Sequence, residues 1–208
     1  MSEPTTLDTH VLQRSAEHLA ERYAGVFSPE TVERYVFESY ATLSRTAKVR
    51  TYLASTASHF ADNRLRALAQ SEGKIASPVP QVLFVCVHNI GRSQIAAALL
   101  THHAGDKVEV RSAGSLPGSE VHPLVVQALA ERGIDLSGAY PKPLTDDVVR
   151  AADYVITMGC GDACPIYPGK QYLDWEVPDP AEQTPASLQA VVEDIDAHVQ
   201  ELWARIQG

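Results

Sequence analysis

The amino-acid sequence predicts an α/β fold, a parallel sheet with helices on both faces, preceded by a small N-terminal three-helix bundle. Three observations predict it. Short apolar runs at 82–85, 108–111 and 154–157 alternate with helical patterns at 93–103, about 121–132 and about 145–151, and such alternation builds a parallel sheet covered on both sides. A long closing helix carries Leu188, Val192, Ile195, Val199, Leu202 and Ile206 on one face. Residues 1–72, in contrast, contain Gly25 as their one glycine and show three helical patterns.

In the first region, Leu12, Ala16, Leu19 and Tyr23 share a helical face. Ser28-Pro29-Glu30 is a helix start: a capping serine, a proline in the first turn and an acid against the dipole. Val32, Tyr35, Val36, Tyr40 and Leu43 follow as a second apolar face, and Leu53, Phe60 and Leu68 suggest a third. These faces read as the core of a bundle spanning 1–72. Residues 73–80, rich in Gly, Ser and Pro, break the pattern and read as a linker, with a second domain over 81–208.

The chain has 208 residues, 45% of them apolar and 21% charged, as in ordinary globular proteins. A net charge of -9 argues against a nucleic-acid partner. No apolar run approaches the ~20 residues of a membrane span, and the polar first residues do not resemble a signal peptide. No membrane partner is expected, and a cytoplasmic location is. Three cysteines suit reactive or metal-binding roles in a reducing compartment better than a disulfide framework.

The most telling stretch is Cys86-Val87-His88-Asn89-Ile90-Gly91-Arg92-Ser93, between a strand pattern and a helix pattern. A helix N-terminus offers unpaired N–H groups to a tetrahedral anion, and the same donors favour the thiolate of a cysteine. Arg92 supplies a planar fork suited to two anion oxygens. Ser93 can donate to the thiolate, Gly91 allows a tight turn, and Asn89 can brace the loop. His88 reads as a loop residue rather than a base. Cys160 and Cys164 follow the third strand, where one thiol can attack an adduct on Cys86 and the other resolve the disulfide. Two competing readings of this pair are a zinc site completed by histidines such as His102 and His103, and a purely structural pair; the first lacks a second matched ligand pair. Asp179, fixed before Pro180, is a candidate general acid, ahead of Asp162 and Asp174.

Taken together, Cys86-x5-Arg92-Ser93-Gln94, Arg111-Ser112-Ala113-Gly114, the Cys160/Cys164 pair and Asp179-Pro180 resemble the thioredoxin-coupled arsenate reductases of the low-molecular-weight tyrosine phosphatase fold, over about residues 80–208. The resemblance implies a four-stranded parallel sheet flanked by helices. It implies that Cys86 attacks arsenate while Arg92 and the amides of Val87, His88, Asn89, Ile90 and Gly91 hold its oxygens, Ser93 assists the thiolate and Asp179 protonates the departing hydroxyl. Cys160 would then form a disulfide with Cys86 and release arsenite, and Cys164 would take over the disulfide for thioredoxin, the electron donor. No tightly bound cofactor and no metal are expected; potassium, bound by some members, is not expected because Ala97 stands where a glutamate would help hold it. Two further departures are the short Gly161-Asp162-Ala163 spacer between the outer cysteines and the N-terminal helical region, which resembles extra modules on some actinobacterial reductases.

Three other readings compete with this one. A low-molecular-weight protein tyrosine phosphatase would use the same loop, but generally has proline after the loop's Arg-Ser and needs neither Cys160 nor Cys164. A reductase served by mycothiol and a glutaredoxin-like protein would bypass Cys160. A non-enzymatic arsenic or redox sensor would have no need of Asp179.

Overall fold

A computed structural model describes residues 4–48, 50–159, 164–180 and 184–208. The chain divides into two compact units, one ending at Ala76 and one running from Ser77 to Gly208.

The first unit contains α1 (Thr6–Arg22), α2 (Pro29–Leu43) and α3 (Leu53–Ser71). Helix α1 opens on a reciprocal capping box between Thr5 and Asp8, and α2 on the Ser28 cap with Pro29 in its first turn. Leu12, Ala16, Leu19 and Tyr23 are buried, as are Val32, Val36, Tyr40 and Leu43, so two of the three apolar faces form as the sequence suggests. Tyr35 is only partly buried, with Arg64 4.5 Å above its ring. The third face forms in part, with Leu53 and Phe60 buried. Leu68 is half-buried, and α3 packs through Ala57, Phe60, Ala61 and Leu65. Alanines at 57 and 61 allow close helix approach, which a search for large apolar residues overlooks. Polar bonds cross the bundle: Tyr23 Oη donates to Asp62 at 2.7 Å, and Tyr40 Oη to Asp8 at 3.0 Å.

The second unit is a four-stranded, wholly parallel sheet of order β2-β1-β3-β4, from β1 (Gln81–Cys86), β2 (Glu109–Gly114), β3 (Tyr154–Met158) and β4 (Gln171–Asp174). Helices α4 (Arg92–Ala104), α5 (Pro123–Ala130), α6 (Asp146–Ala151) and α7 (Pro185–Gln207) surround it. All six β1 residues are buried, as a central parallel strand requires. Phe84, Ile156 and Met158 share one core with Ile95, Leu99 and Leu100 of α4, Val125 and Leu129 of α5, and Leu188, Val192, Ile195 and Val199 of α7. Each such side chain is worth roughly 1.5–3 kcal/mol when fully buried. Leu83, Val85 and Val155 point to the opposite face and are equally buried, with α6 packed on β1.

Strand β2 runs on to Gly114, beyond the apolar run, because Ser112, Ala113 and Gly114 stay in register with Phe84, Val85 and Cys86. Strand β4 includes Leu173 and Asp174, which read as loop from the sequence. It is a short, half-exposed edge strand with no apolar run to announce it.

Candidate active site

Cys86 is the last residue of β1, beside the point where chain order reverses between β2 and β3. Ligands in open parallel sheets lodge at such a point, off the strand C-terminal ends. Residues 87–91 turn from β1 into α4. Asn89 takes the left-handed conformation with φ 51°, which asparagine tolerates better than most side chains. The carbonyls of Cys86, Val87, His88 and Ile90 accept from the amides of Ser115 (3.2 Å), Leu116 (2.8 Å), Gly118 (2.8 Å) and His122 (2.9 Å). With these carbonyls drawn into segment 115–122, and the N-terminus of α4 at its base, the loop is disposed to offer amides to an anion. Two glycines permit the approach: a Cβ on Gly114 would lie 2.8 Å from the Val87 oxygen, and one on Gly118 2.6 Å from Ile90 Cγ2.

The thiol sits at the centre, 2% exposed. Asn89 N donates to Cys86 Sγ at 3.2 Å, and Ser93 Oγ lies 3.0 Å from the same sulfur. Asn89 Nδ2 donates to Ser93 Oγ at 2.7 Å, so the serine's single hydrogen is left to point at Sγ. The asparagine is oriented in turn. Its Oδ1 accepts from Gln94 Nε2 at 3.1 Å and from Lys142 N at 2.8 Å. Two donors therefore converge on the sulfur, an arrangement that stabilises negative charge there. Gln94 also donates to the Asn89 and Tyr140 carbonyls at 3.0 and 3.1 Å.

Arg92 heads α4 and reaches towards the loop after β4, where Nη2 pairs with Asp179 Oδ2 at 3.0 Å and Nη1 donates to the Val177 carbonyl at 3.3 Å. Pro180 packs against the loop at Gly91, with its Cγ 3.1 Å from where a Gly91 Cβ would stand. Arg92 and Asp179 thus meet at one mouth. Lys142 stands behind the loop, its Nζ donating to the Tyr140 carbonyl at 3.1 Å, and burial pushes its ammonium down to about 8.

Cys86, Asn89, Gly91, Arg92, Ser93 and Asp179 are therefore brought together, while His88 is exposed and contributes its carbonyl to the loop. Cys164 is buried, with Sγ 3.9 Å from the Pro165 oxygen; Cys160 and Asp162 lie outside the described residues. Arg111 faces away from the loop, tied to Gln81 and Glu109 at the opposite end of the sheet. His103 bonds Asp196 at 2.6 Å, and no metal-holding group of His, Cys, Asp and Glu forms among the described residues. Among those residues no helix is long and apolar enough to cross a membrane. Gln94, Gly114, Gly118 and Lys142 were not singled out from the sequence for the roles they play here.

Comparison with known proteins agrees with this geometry. Residues 81–208 match the low molecular weight phosphotyrosine protein phosphatase family, and residues 12–69 the protein-tyrosine-phosphatase-like N-terminal domain. The solved structure of a Corynebacterium glutamicum thioredoxin-dependent arsenate reductase is 63% identical, with TM-score 0.89, over 96% of this chain and 98% of that one. Arsenate reductase 1 of Staphylococcus epidermidis is 33% identical over 129 residues, 60% of this chain and 96% of that protein. A tyrosine phosphatase of Erwinia amylovora is 25% identical, with TM-score 0.56, over 64% of this chain and 97% of that one. A cysteine loop at the switch point of a parallel sheet and a family match over the whole of that sheet lead to one conclusion: this chain belongs to the low molecular weight phosphotyrosine protein phosphatase family.

Proposed function

We propose that the chain is an arsenate reductase that draws its electrons from thioredoxin. The observation that carries the proposal is the Cys86 bowl, with Arg92 and Asp179 at its mouth, in a chain 63% identical over 96% of its length to a thioredoxin-dependent arsenate reductase. In this reading the Cys86 thiolate attacks arsenic, a hydroxyl leaves with a proton from Asp179, and Arg92 with the amides of residues 87–92 holds the remaining oxygens. Ser93 and the Asn89 amide support the thiolate before attack. Cys160 then attacks Cys86 Sγ. The electron pair of the S–As bond passes to arsenic, reducing As(V) to As(III), and arsenite leaves behind a Cys86–Cys160 disulfide. Cys164 attacks Cys160, freeing Cys86, and thioredoxin reduces the Cys160–Cys164 disulfide. Such a relay works in a reducing compartment, which supports a cytoplasmic setting. The 1–72 region is read as a separate, non-catalytic domain joined through 73–80.

The test is NADPH consumption on adding arsenate to the protein with thioredoxin and thioredoxin reductase, beside Cys164→Ser. Arsenate-dependent turnover that disappears in the variant is expected. Turnover only with mycothiol and a glutaredoxin-like protein would discard the relay and keep the reductase. Silence in both systems with hydrolysis of an aryl phosphate would favour the phosphatase reading, which the similarity to the Erwinia amylovora enzyme and the near-isosterism of arsenate and phosphate support.

A further inference from the structure

Strand β3 ends at Met158, and Gly159 follows in the left-handed region with φ 71°. Arg92 fills the space where this glycine lacks a side chain: a Cβ at Gly159 would stand 2.9 Å from Nη1, 3.7 Å from Cζ and 3.9 Å from Nη2. A long side chain approached that closely would ordinarily swing aside with little consequence. This one is pinned, with Nη2 on Asp179, Nη1 on the Val177 carbonyl and only 12% of the side chain exposed. Any outward swing breaks those bonds and moves the fork from the mouth of the loop.

We infer that Gly159 is a positioning residue for oxyanion capture: the space left by its missing side chain is where the Arg92 guanidinium lies, and a side chain there displaces the fork from a bound arsenate or phosphate. The inference deepens the proposed function and rests on Arg92 as the oxyanion-holding group. It also separates two demands on one residue, a left-handed backbone and an empty Cα face. Gly169 shares the first, with φ 81°, and has nothing within 4 Å of its would-be Cβ. Gly169→Ala therefore carries the backbone strain without the contact.

Inorganic phosphate titrated into the full chain by calorimetry is the direct test, because it reads oxyanion binding without any step at Cys160 or Cys164. Gly159→Ala is expected to weaken phosphate binding about 10- to 100-fold, the range for losing a charge-assisted hydrogen bond. Gly169→Ala is expected to bind phosphate like the wild type while losing a similar amount of thermal stability. In an Arg92→Ala background, Gly159→Ala should add no further loss, since it acts through the arginine. Wild-type affinity in Gly159→Ala would overturn the inference, as would an equal loss in Gly169→Ala or an undiminished loss in the Arg92→Ala background. Absence of phosphate binding by the wild type would instead overturn the reading of the loop, and the inference with it.

Discussion

At the scale of single residues, the site is governed by which hydrogen-bond donor each acceptor receives. Asp179 occupies one nitrogen of the Arg92 guanidinium, the group proposed to hold the oxyanion. Asp179→Asn removes a carboxylate paired with Arg92 and, on the proposed function, the proton donor to the leaving hydroxyl. Turnover is expected to fall about 10²-fold or more, while phosphate binding, followed by calorimetry, stays equal or tightens. Lys142 offers a pH test. In the folded chain its amine loses its proton through about pH 8, against 10.5 for an ordinary lysine. The unfolded chain therefore binds the extra proton between those values, and the lysine's contribution to stability rises with pH across that window. Any stability advantage of Lys142→Met at pH 7 should shrink between pH 8 and 10, by up to about 1.4 kcal/mol per pH unit, in paired denaturant titrations. A constant difference would mean that Lys142 is not held neutral there.

At the scale of elements, the loop is shaped less by its own sequence than by the segment after β2. Three of its carbonyls, and that of Cys86 before it, are taken by residues 115–122, and Gly114 brings backbone against backbone. Gly114→Ala sets a Cβ 2.8 Å from a carbonyl oxygen and 2.9 Å from the Asn89 nitrogen, atoms that cannot rotate away. It should destabilise the chain by about 1–3 kcal/mol in urea unfolding and slow alkylation of Cys86, since the Asn89 amide is a donor to its sulfur. Strand β1 was legible as a continuous apolar run, and α7 because its burial follows the helical period of its apolar residues. Strand β4 was not, because an edge strand of four half-exposed residues is held by pairing with β3 rather than by an apolar pattern. The face of α3 was legible only in part: Leu53 and Phe60 are buried as their spacing suggests, but alanines at 54, 57, 61, 67 and 69 share the packing.

For the whole molecule, the two compact units each carry their own buried core, one built on Leu12, Val36 and Leu65, the other on Phe84, Leu99 and Ile195. A fragment comprising residues 77–208 is accordingly expected to fold and to retain arsenate-dependent turnover within about tenfold of the full chain, measured in the thioredoxin-coupled assay. A soluble fragment without turnover would assign the N-terminal unit a part in the chemistry. The order of apolar runs determined the class of fold, because hydrophobic periodicity is a local property that survives in one dimension. The spacing from Cys86 through Arg92 to Ser93 likewise determined where the loop stands, between one strand and one helix start, though not its shape. Only the tertiary structure decided what meets that loop. Gly159, Gly118 and the Tyr140 carbonyl come from three other stretches of chain, and parallel strand order rather than sequence distance brings them to the same rim as Asp179, the acid already legible in the sequence.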